Sequence, residues 1–304
     1  MNWVKGGHIF AASGEFEWMQ SHAANPFAWR LSNTIYRIFF TVRDAHSKSY
    51  ITFGDFDIAD GFRLIQLSPH PVLSPGEPGL FDDSGVAVGY LMEREGKLNL
   101  YYLGWNLKVT VPWLNTIGRA EWSEQEARFI KCGKAPMMDR SEEDPFTISY
   151  PSIWKDEHGY KMWYGSNLQW GKTQETMQHI IKYAESSDGI HWHRTNHIAV
   201  HLQHPGEYAL SKPFVIKDQA LYKMWYSYRA NGAIQTYRIG YAESKDGWNW
   251  ERMDHKAGID VSPEGWDSQM ISYPYVFKHE NQWFMLYNGN EYGKSGFGYA
   301  VASM

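Results

Sequence analysis

An all-β fold, a five-bladed β-propeller with four antiparallel strands per blade, is predicted by three features of the 304-residue chain: a five-fold internal repeat, short aromatic strand-like runs without any long helical pattern, and tight-turn dipeptides at matching places. The repeat is anchored by YRIFF, LNLYY, YKMWY, a second YKMWY and WFMLY, which end at Phe40, Tyr102, Tyr164, Tyr226 and Tyr287. Successive anchors are 62, 62, 62 and 61 residues apart. Three residues beyond them stand Arg43, Trp105, Asn167, Arg229 and Asn290. A repeat retains what folds it and varies what lines its shared centre, so these five positions are candidate binding residues.

The units follow in order as blades over 20–65, 80–130, 144–195, 207–252 and 266–304. The third reads PSIWK, then YKMWYGS, IIKYAES and SSDGIHW; the fourth repeats it as PFVIK, YKMWYSY, RIGYAES and SKDGWNW. The Asp188-Gly189 and Asp246-Gly247 pairs supply residues that tolerate positive φ, as a hairpin between the third and fourth strands requires, and Asp60-Gly61 looks equivalent in the first unit. The fifth unit runs out after its third strand. A ring closes most simply if residues 3–13 provide the missing outer strand, which also removes an exposed edge. The stretch 107–145 is the most irregular and is expected to be an excursion over one face. No Pro/Ser linker divides the chain, so one domain spans 1–304.

Bulk properties narrow the function classes. A single cysteine, Cys132, forms no internal disulfide, and MNWVKGGHIF lacks a long apolar core, so a cytoplasmic location is the expectation. The thiol reads as incidental. With a net charge of −5 and no basic tract, nucleic acid is not an expected partner. No window approaches the roughly 20 apolar residues that span a bilayer, so no membrane is expected either. The histidines lack metal-ligand spacing; no cofactor or catalytic metal is expected, and a structural divalent cation in the channel is left open. The oligomeric state is not encoded legibly.

In a propeller the innermost strands begin near the axis, here at Asn25-Pro26, Gly85-Val86, Tyr150-Pro151, Lys212-Pro213 and Tyr273-Pro274. Upstream of four of them lies an acid: Asp82 and Asp83, Asp144, Glu207 and Asp267. Convergent carboxylates are what glycosidic cleavage needs, one to protonate the leaving oxygen and one to activate water or attack carbon. The competing reading makes them turn and cap residues, which is favoured for Asp144. Arg43 and Arg229, at one position of two units, suit a clamp for a carboxylate or phosphate, or a structural ion pair. Asn288 and Asn290 suit hydroxyl recognition, Ser211 and Lys212 add polar groups to the fourth strand entrance, and His22 is the one histidine near the funnel.

With KMWYS, IGYAES and S-x-D-G-x-x-W in place, the chain resembles the five-bladed β-propeller glycosidases of glycoside hydrolase families 43, 32, 68 and 130, over 25–302. The resemblance implies a catalytic Asp before a proline on the first inner strand, where this chain has Asn25, and an acid before the third-unit proline, where it has Ser149 and Tyr150. A blade-two acid has a counterpart in Asp82 or Asp83. The resulting expectation is a glycosidase-like enzyme acting on a small or anionic glycan, with Asp83, Glu207 and Asp267 as acid, base or nucleophile. Asn25, Arg43, Asp82, Trp105, Asn167, Lys212, Arg229, Asn288 and Asn290 would bind a carbohydrate or sugar phosphate. Two alternatives stand beside it: phosphorolysis or glycosyl transfer with Arg43 and Arg229 gripping phosphate, and a non-catalytic carbohydrate-binding propeller.

Overall fold

The computed structural model describes residues 1–173, 176–232 and 235–303; Met304, the expected end of the fifth unit, lies outside them. Its strands fall into five antiparallel groups of four. In the first, β2 (Ser21–Arg30), β3 (Ile35–Arg43), β4 (Ser49–Asp57) and β5 (Arg63–Leu67) pair in order. The second joins β6 (Gly85–Arg94), β7 (Lys97–Leu107), β8 (Trp113–Ser123) and β9 (Arg128–Lys131). The third joins β10 (Ile148–Asp156), β11 (Gly159–Gln169), β12 (Gln178–Ser186) and β13 (His193–Val200). The fourth joins β14 (Glu207–Asp218), β15 (Leu221–Ala230), β16 (Arg238–Ser244) and β17 (Glu251–Arg252).

The fifth group is completed from the other end of the chain: β18 (Ser272–His279), β19 (Gln282–Asn288) and β20 (Phe297–Ser303) are joined by β1 (Val4–Phe10), which pairs with β20. The first strands of the groups touch in ring order, β2 with β6, β6 with β10, β10 with β14, β14 with β18 and β18 with β2. The stretch 107–145 is more regular than its sequence suggests, because β8 and β9 lie within it. Polar Asn115, Thr116, Arg119 and Glu121 interrupt its apolar pattern; Arg119 is used by Asn99 and Glu121, which lets a charged strand pack.

The Asp-Gly turns are latches between units. Ser186 Oγ accepts from the Asp188 and Gly189 amides, and Asp188 Oδ1 accepts from those of Ile190 and His191; Ser244 and Asp246 repeat this geometry. So held, the Gly189 carbonyl accepts the Tyr101 hydroxyl of the preceding unit at 2.9 Å, and the Gly247 carbonyl accepts Trp163 Nε1 at 2.8 Å. Tyr101 and Trp163 each stand one residue before their anchor, so the repeat that builds a unit also docks its neighbour. In the first unit Asp60-Gly61 keeps the left-handed glycine, but Phe62 does the docking, packing on Phe284 and Tyr299 of the fifth.

Tyr101→Phe leaves the buried Gly189 carbonyl without its donor and should lower stability by about 1–2 kcal/mol. Urea unfolding reads this as a lower midpoint at unchanged slope; an unshifted midpoint would remove the latch.

Candidate functional site

Four first strands are kinked at a residue that precedes proline and has positive φ: Asn25 at 54°, Tyr150 at 38°, Lys212 at 51° and Tyr273 at 57°. A residue before proline prefers extended backbone, and a left-handed non-glycine costs about 1–3 kcal/mol, so four such sites in one layer need support from outside the strand. For Asn25 and Tyr273 the preceding unit gives it, from the residue after its anchor, and the same bond recurs at Val88 of unit two. Asn288 Oδ1 accepts the Asn25 amide at 2.9 Å, Ser227 Oγ accepts that of Tyr273 at 2.8 Å, and Thr41 Oγ1 accepts that of Val88 at 3.0 Å.

These kinked residues meet across the centre of the ring. The Tyr150 and Tyr273 rings, from units three and five, are 5.5 Å apart. Lys212 Nζ, from unit four, donates to the Gly89 carbonyl of unit two at 2.9 Å and lies 5.4 Å from the Tyr150 ring. The Asn25 side chain of unit one, whose amide nitrogen donates to Thr41 Oγ1 at 3.4 Å, also favours the ionised form of the Tyr150 hydroxyl. Units that are not neighbours can approach only at the axis. Two residues further along each strand, Phe27, Tyr90, Phe214 and Tyr275 form a packed plug. Lys212 and Asn25 are buried against it, whereas Tyr150 and Tyr273 keep partial exposure and form the floor of a funnel.

The wall beside Tyr273 is a second aromatic group. Tyr237 lies 5.8 Å from Tyr273 and 6.0 Å from Tyr292. The Arg229 guanidinium stacks over Tyr208 and Tyr237 at 4.9 and 4.7 Å and donates to the Tyr292 hydroxyl at 2.7 Å. Glu291 and Tyr292 are consecutive left-handed residues in the 290–293 turn, at φ 52° and 60°. His22 and Arg43 are half-buried.

The charge of this centre is positive. Burial pushes Lys212 down to about 7. Burial, helped by Arg229, lowers His179 to about 3, and burial with Arg43 and Lys294 lowers His22 to about 4 against the opposing pull of Glu291. The Tyr150 hydroxyl is pushed up to about 12 by burial, against Arg43 and Asn25. No Asp or Glu is among the charges acting on Lys212, His179, Tyr150 or Tyr237. Among the described residues no three His, Cys, Asp or Glu side chains gather as a metal-ligand set, and no helix is long and apolar enough to cross a membrane.

The acids upstream of the inner strands, among them the expected catalytic Asp83, Glu207 and Asp267, are held in separate units. Asp267 accepts from the Tyr287 hydroxyl at 3.0 Å and from Lys5 at 2.6 Å. Asp82 takes Tyr102 and Lys131, at 3.0 and 2.6 Å. Asp144 takes Tyr164, Lys182 and Arg194. Each acid stands twenty residues before its anchor tyrosine. Lys5, Lys131 and Arg194 come from the fourth strand of the same unit as the acid. Glu207 varies the theme, with both oxygens on Arg252 at 2.8 and 2.5 Å, while Asp254 accepts from Arg252 and from the anchor Tyr226. Asp83 is a turn residue that accepts from the Gly79 amide and the Ser84 hydroxyl. A carboxylate spent in this way lacks a free face for a glycosidic oxygen.

The varied position after each anchor divides. Arg229 is engaged with Tyr292, Tyr208 and Tyr237, and Asn167 is buried with both side-chain amide atoms unpartnered, the type of polar group a ligand satisfies. Trp105 donates to Ser49 Oγ, and Asn290 fixes the loop at Gly265, Gln269 and Met270. Asn288 is likewise spent, on Asn25 and the Tyr292 carbonyl. Cys132 is exposed, and its thiol is raised by burial of its surroundings, which disfavours the thiolate. Tyr150, Tyr273, Tyr237, Tyr292 and His179 join the site without having been singled out by sequence. The signal for the first two was present, an X-Pro pair in four units.

The architecture is the β-propeller of the family 43 and family 32 glycoside hydrolases. A structure described as a glycoside hydrolase superposes with a TM-score of 0.75 at 16% identity, covering 98% of this chain and 92% of that one. The BT0996 RGII complex gives 0.74 at 16% with the same coverage, and a thermostable family-43 glycoside hydrolase gives 0.64 at 15%, covering 92% and 88%. At these identities the likeness is one of fold. No family model matches the sequence. The chain belongs to the family of the uncharacterized protein Rv1502 of Mycobacterium tuberculosis strain H37Rv, with which it is 44% identical over 301 residues, 99% of each chain. MT1551 of strain CDC 1551 matches to the same extent.

Asp267→Asn and Lys5→Met should each destabilise the fold, Lys5→Met by about 3 kcal/mol, the lower end for a broken buried pair because Lys5 keeps part of its side chain in water. The double variant should lose less than the sum. Additive losses, or an Asp267→Asn protein of unchanged Tm, would overturn the structural role. For Lys212 the sign runs the other way from an ion pair: its folded pKa lies below the ordinary 10.5, so the unfolded chain binds more protons between pH 7 and 10.5 and stability rises with pH there. Lys212→Met removes that penalty, at most roughly 5 kcal/mol. Its Tm relative to the wild type should be highest near pH 6 and fall steadily toward pH 10; a difference independent of pH contradicts a neutral lysine.

Proposed function

We propose that this chain is a five-bladed, glycoside hydrolase-like propeller whose central funnel binds a small anionic sugar, a sugar acid or a sugar phosphate. The observation that carries the reading is the sign of the axis. Arg229 and Arg43 bring positive charge to a tyrosine-lined floor, and no Asp or Glu is among the described charges acting on its Tyr150 or on the buried Lys212. Hydrolysis by two carboxylates needs an acid and a base facing each other across the scissile bond, and Asp83, Glu207 and Asp267 are engaged in three separate units. The tyrosine faces suit the apolar faces of a sugar ring, and their hydroxyls with Asn25 and Asn167 suit its hydroxyl groups. The resemblance to carbohydrate-active enzymes and the BT0996 RGII complex support a carbohydrate as the ligand class.

Calorimetry with galacturonate, glucuronate, glucose 1-phosphate and glucose tests this. The charged sugars should bind, glucose at least tenfold more weakly, and the preference should shrink with salt. Arg229→Gln should weaken binding of the charged sugars by about 1.5–3 kcal/mol. Equal affinity for glucose, or turnover of aryl glycosides abolished by Asp267→Asn without loss of Tm, would return the function to carboxylate hydrolysis.

A further inference from the structure

We infer that Lys212 is a covalent amine site, which captures the aldehyde or ketone group of an open-chain sugar derivative carrying a carboxylate or phosphate. This rests on the reading of the funnel as an anionic-ligand site and adds a reaction to it. The chain supplies its own contrast. Lys5, Lys131 and Lys182, which serve the fold, each sit against a buried carboxylate at 2.6 to 3.1 Å. Lys212 is as buried as Lys182, yet is placed on the axis by a left-handed backbone before Pro213, with a carbonyl and a tyrosine ring for company. Desolvation without a counter-charge is the environment that keeps an amine neutral and nucleophilic. Strain at a functional position is retained where neighbouring structure supports it, and here Lys212 is tied across the ring to unit two by its own Nζ on the Gly89 carbonyl.

The step balances without any further reagent. The Nζ lone pair attacks the carbonyl carbon, and the carbonyl π pair moves to oxygen, which takes a proton from the Tyr150 hydroxyl. The phenolate recovers a proton from nitrogen, giving the carbinolamine. The carbon–oxygen bond then breaks, the hydroxyl leaves as water, and nitrogen surrenders its second proton through the same tyrosine to leave the imine. Positive charge from Arg43 and Arg229 holds the carboxylate or phosphate while this proceeds.

The test treats the full-length protein with glyoxylate, glyceraldehyde 3-phosphate or neutral glyceraldehyde, reduces with borohydride and maps adducts by peptide mass. Near pH 7 an amine of this kind is roughly a thousandfold more neutral than a surface lysine, so labelling of Lys212 should exceed that of Lys217 and Lys223 by at least tenfold. The anionic probes should label better than glyceraldehyde, and the two of them separate a carboxylate site from a phosphate site. Tyr150→Phe, which keeps the amine, should slow labelling at saturating probe by a larger factor than it weakens calorimetric binding of the anionic sugars; Lys212→Arg should abolish labelling. If charged sugars bind but adducts spread evenly over surface lysines, the covalent role is overturned and the binding site stands. If they neither bind nor label, both fall.

Discussion

Each of the last four units depends on a carboxylate that has been taken out of water at its entrance. Burying an ionised acid is costly by several kcal/mol, and the cost is offset only when a cation and hydrogen-bond donors arrive with good geometry. Here the last strand supplies a lysine or arginine, whose charge also lies over the anchor ring at 5.8, 5.9 and 5.4 Å in three units, and the tyrosine that anchors the second strand supplies a hydroxyl, to the acid itself in units two, three and five and to Asp254 beside it in unit four. Entrance, second strand and last strand are thereby tied at one point. Among the described residues the first unit has no such acid. Its anchor is Phe40, packed on Phe10 and Phe297 at 5.1 and 5.5 Å, so the seam where the two ends of the chain meet is closed by apolar contact.

This division of labour leaves the axis free to vary. The locks lie toward the outer strands and the latches between units, while Asn25 and Tyr273, two of the kinked residues before proline, receive their support through backbone amides. A backbone bond is indifferent to the side chain that it positions. Asn25, Tyr150, Lys212 and Tyr273 share one backbone conformation before proline with unrelated side-chain chemistry, which is the preorganisation a binding or reacting group needs. The aromatic plug beneath them seals one end of the channel and keeps Lys212 from water.

The anchors, the Asp-Gly turns and the closure by the first strand were legible in the sequence because they are local patterns repeated at constant spacing. The role of the acids was not. A carboxylate ahead of an inner strand reads the same whether it faces a substrate or a cation, and the deciding partner is remote: Lys5 and Asp267 are 262 residues apart. One regularity could have separated the readings, the twenty-residue step from acid to anchor tyrosine, since a catalytic acid has no reason to keep step with a core residue. Tyr150 and Tyr273 were missed for the opposite reason. A tyrosine in a strand is ordinarily core, and only its place before a proline marks it as facing the axis.

The electrostatics of the centre underlie the proposed choice between chemistries that the fold alone permits. Glycoside cleavage builds positive charge on the sugar ring, which the enzyme meets with carboxylates. A fixed cation at the same place works against it: two unit charges 4 Å apart in surroundings of moderate polarity interact by about 4 kcal/mol, or roughly a thousandfold in rate. The same charge is an asset for holding an anion. It also acts against the background of the whole molecule, whose net charge of −5 repels anions from the exterior while the low-dielectric funnel focuses the opposite field at its floor. On the proposed reading, an anionic sugar meets its favourable interaction at the axis, from Arg43 and Arg229.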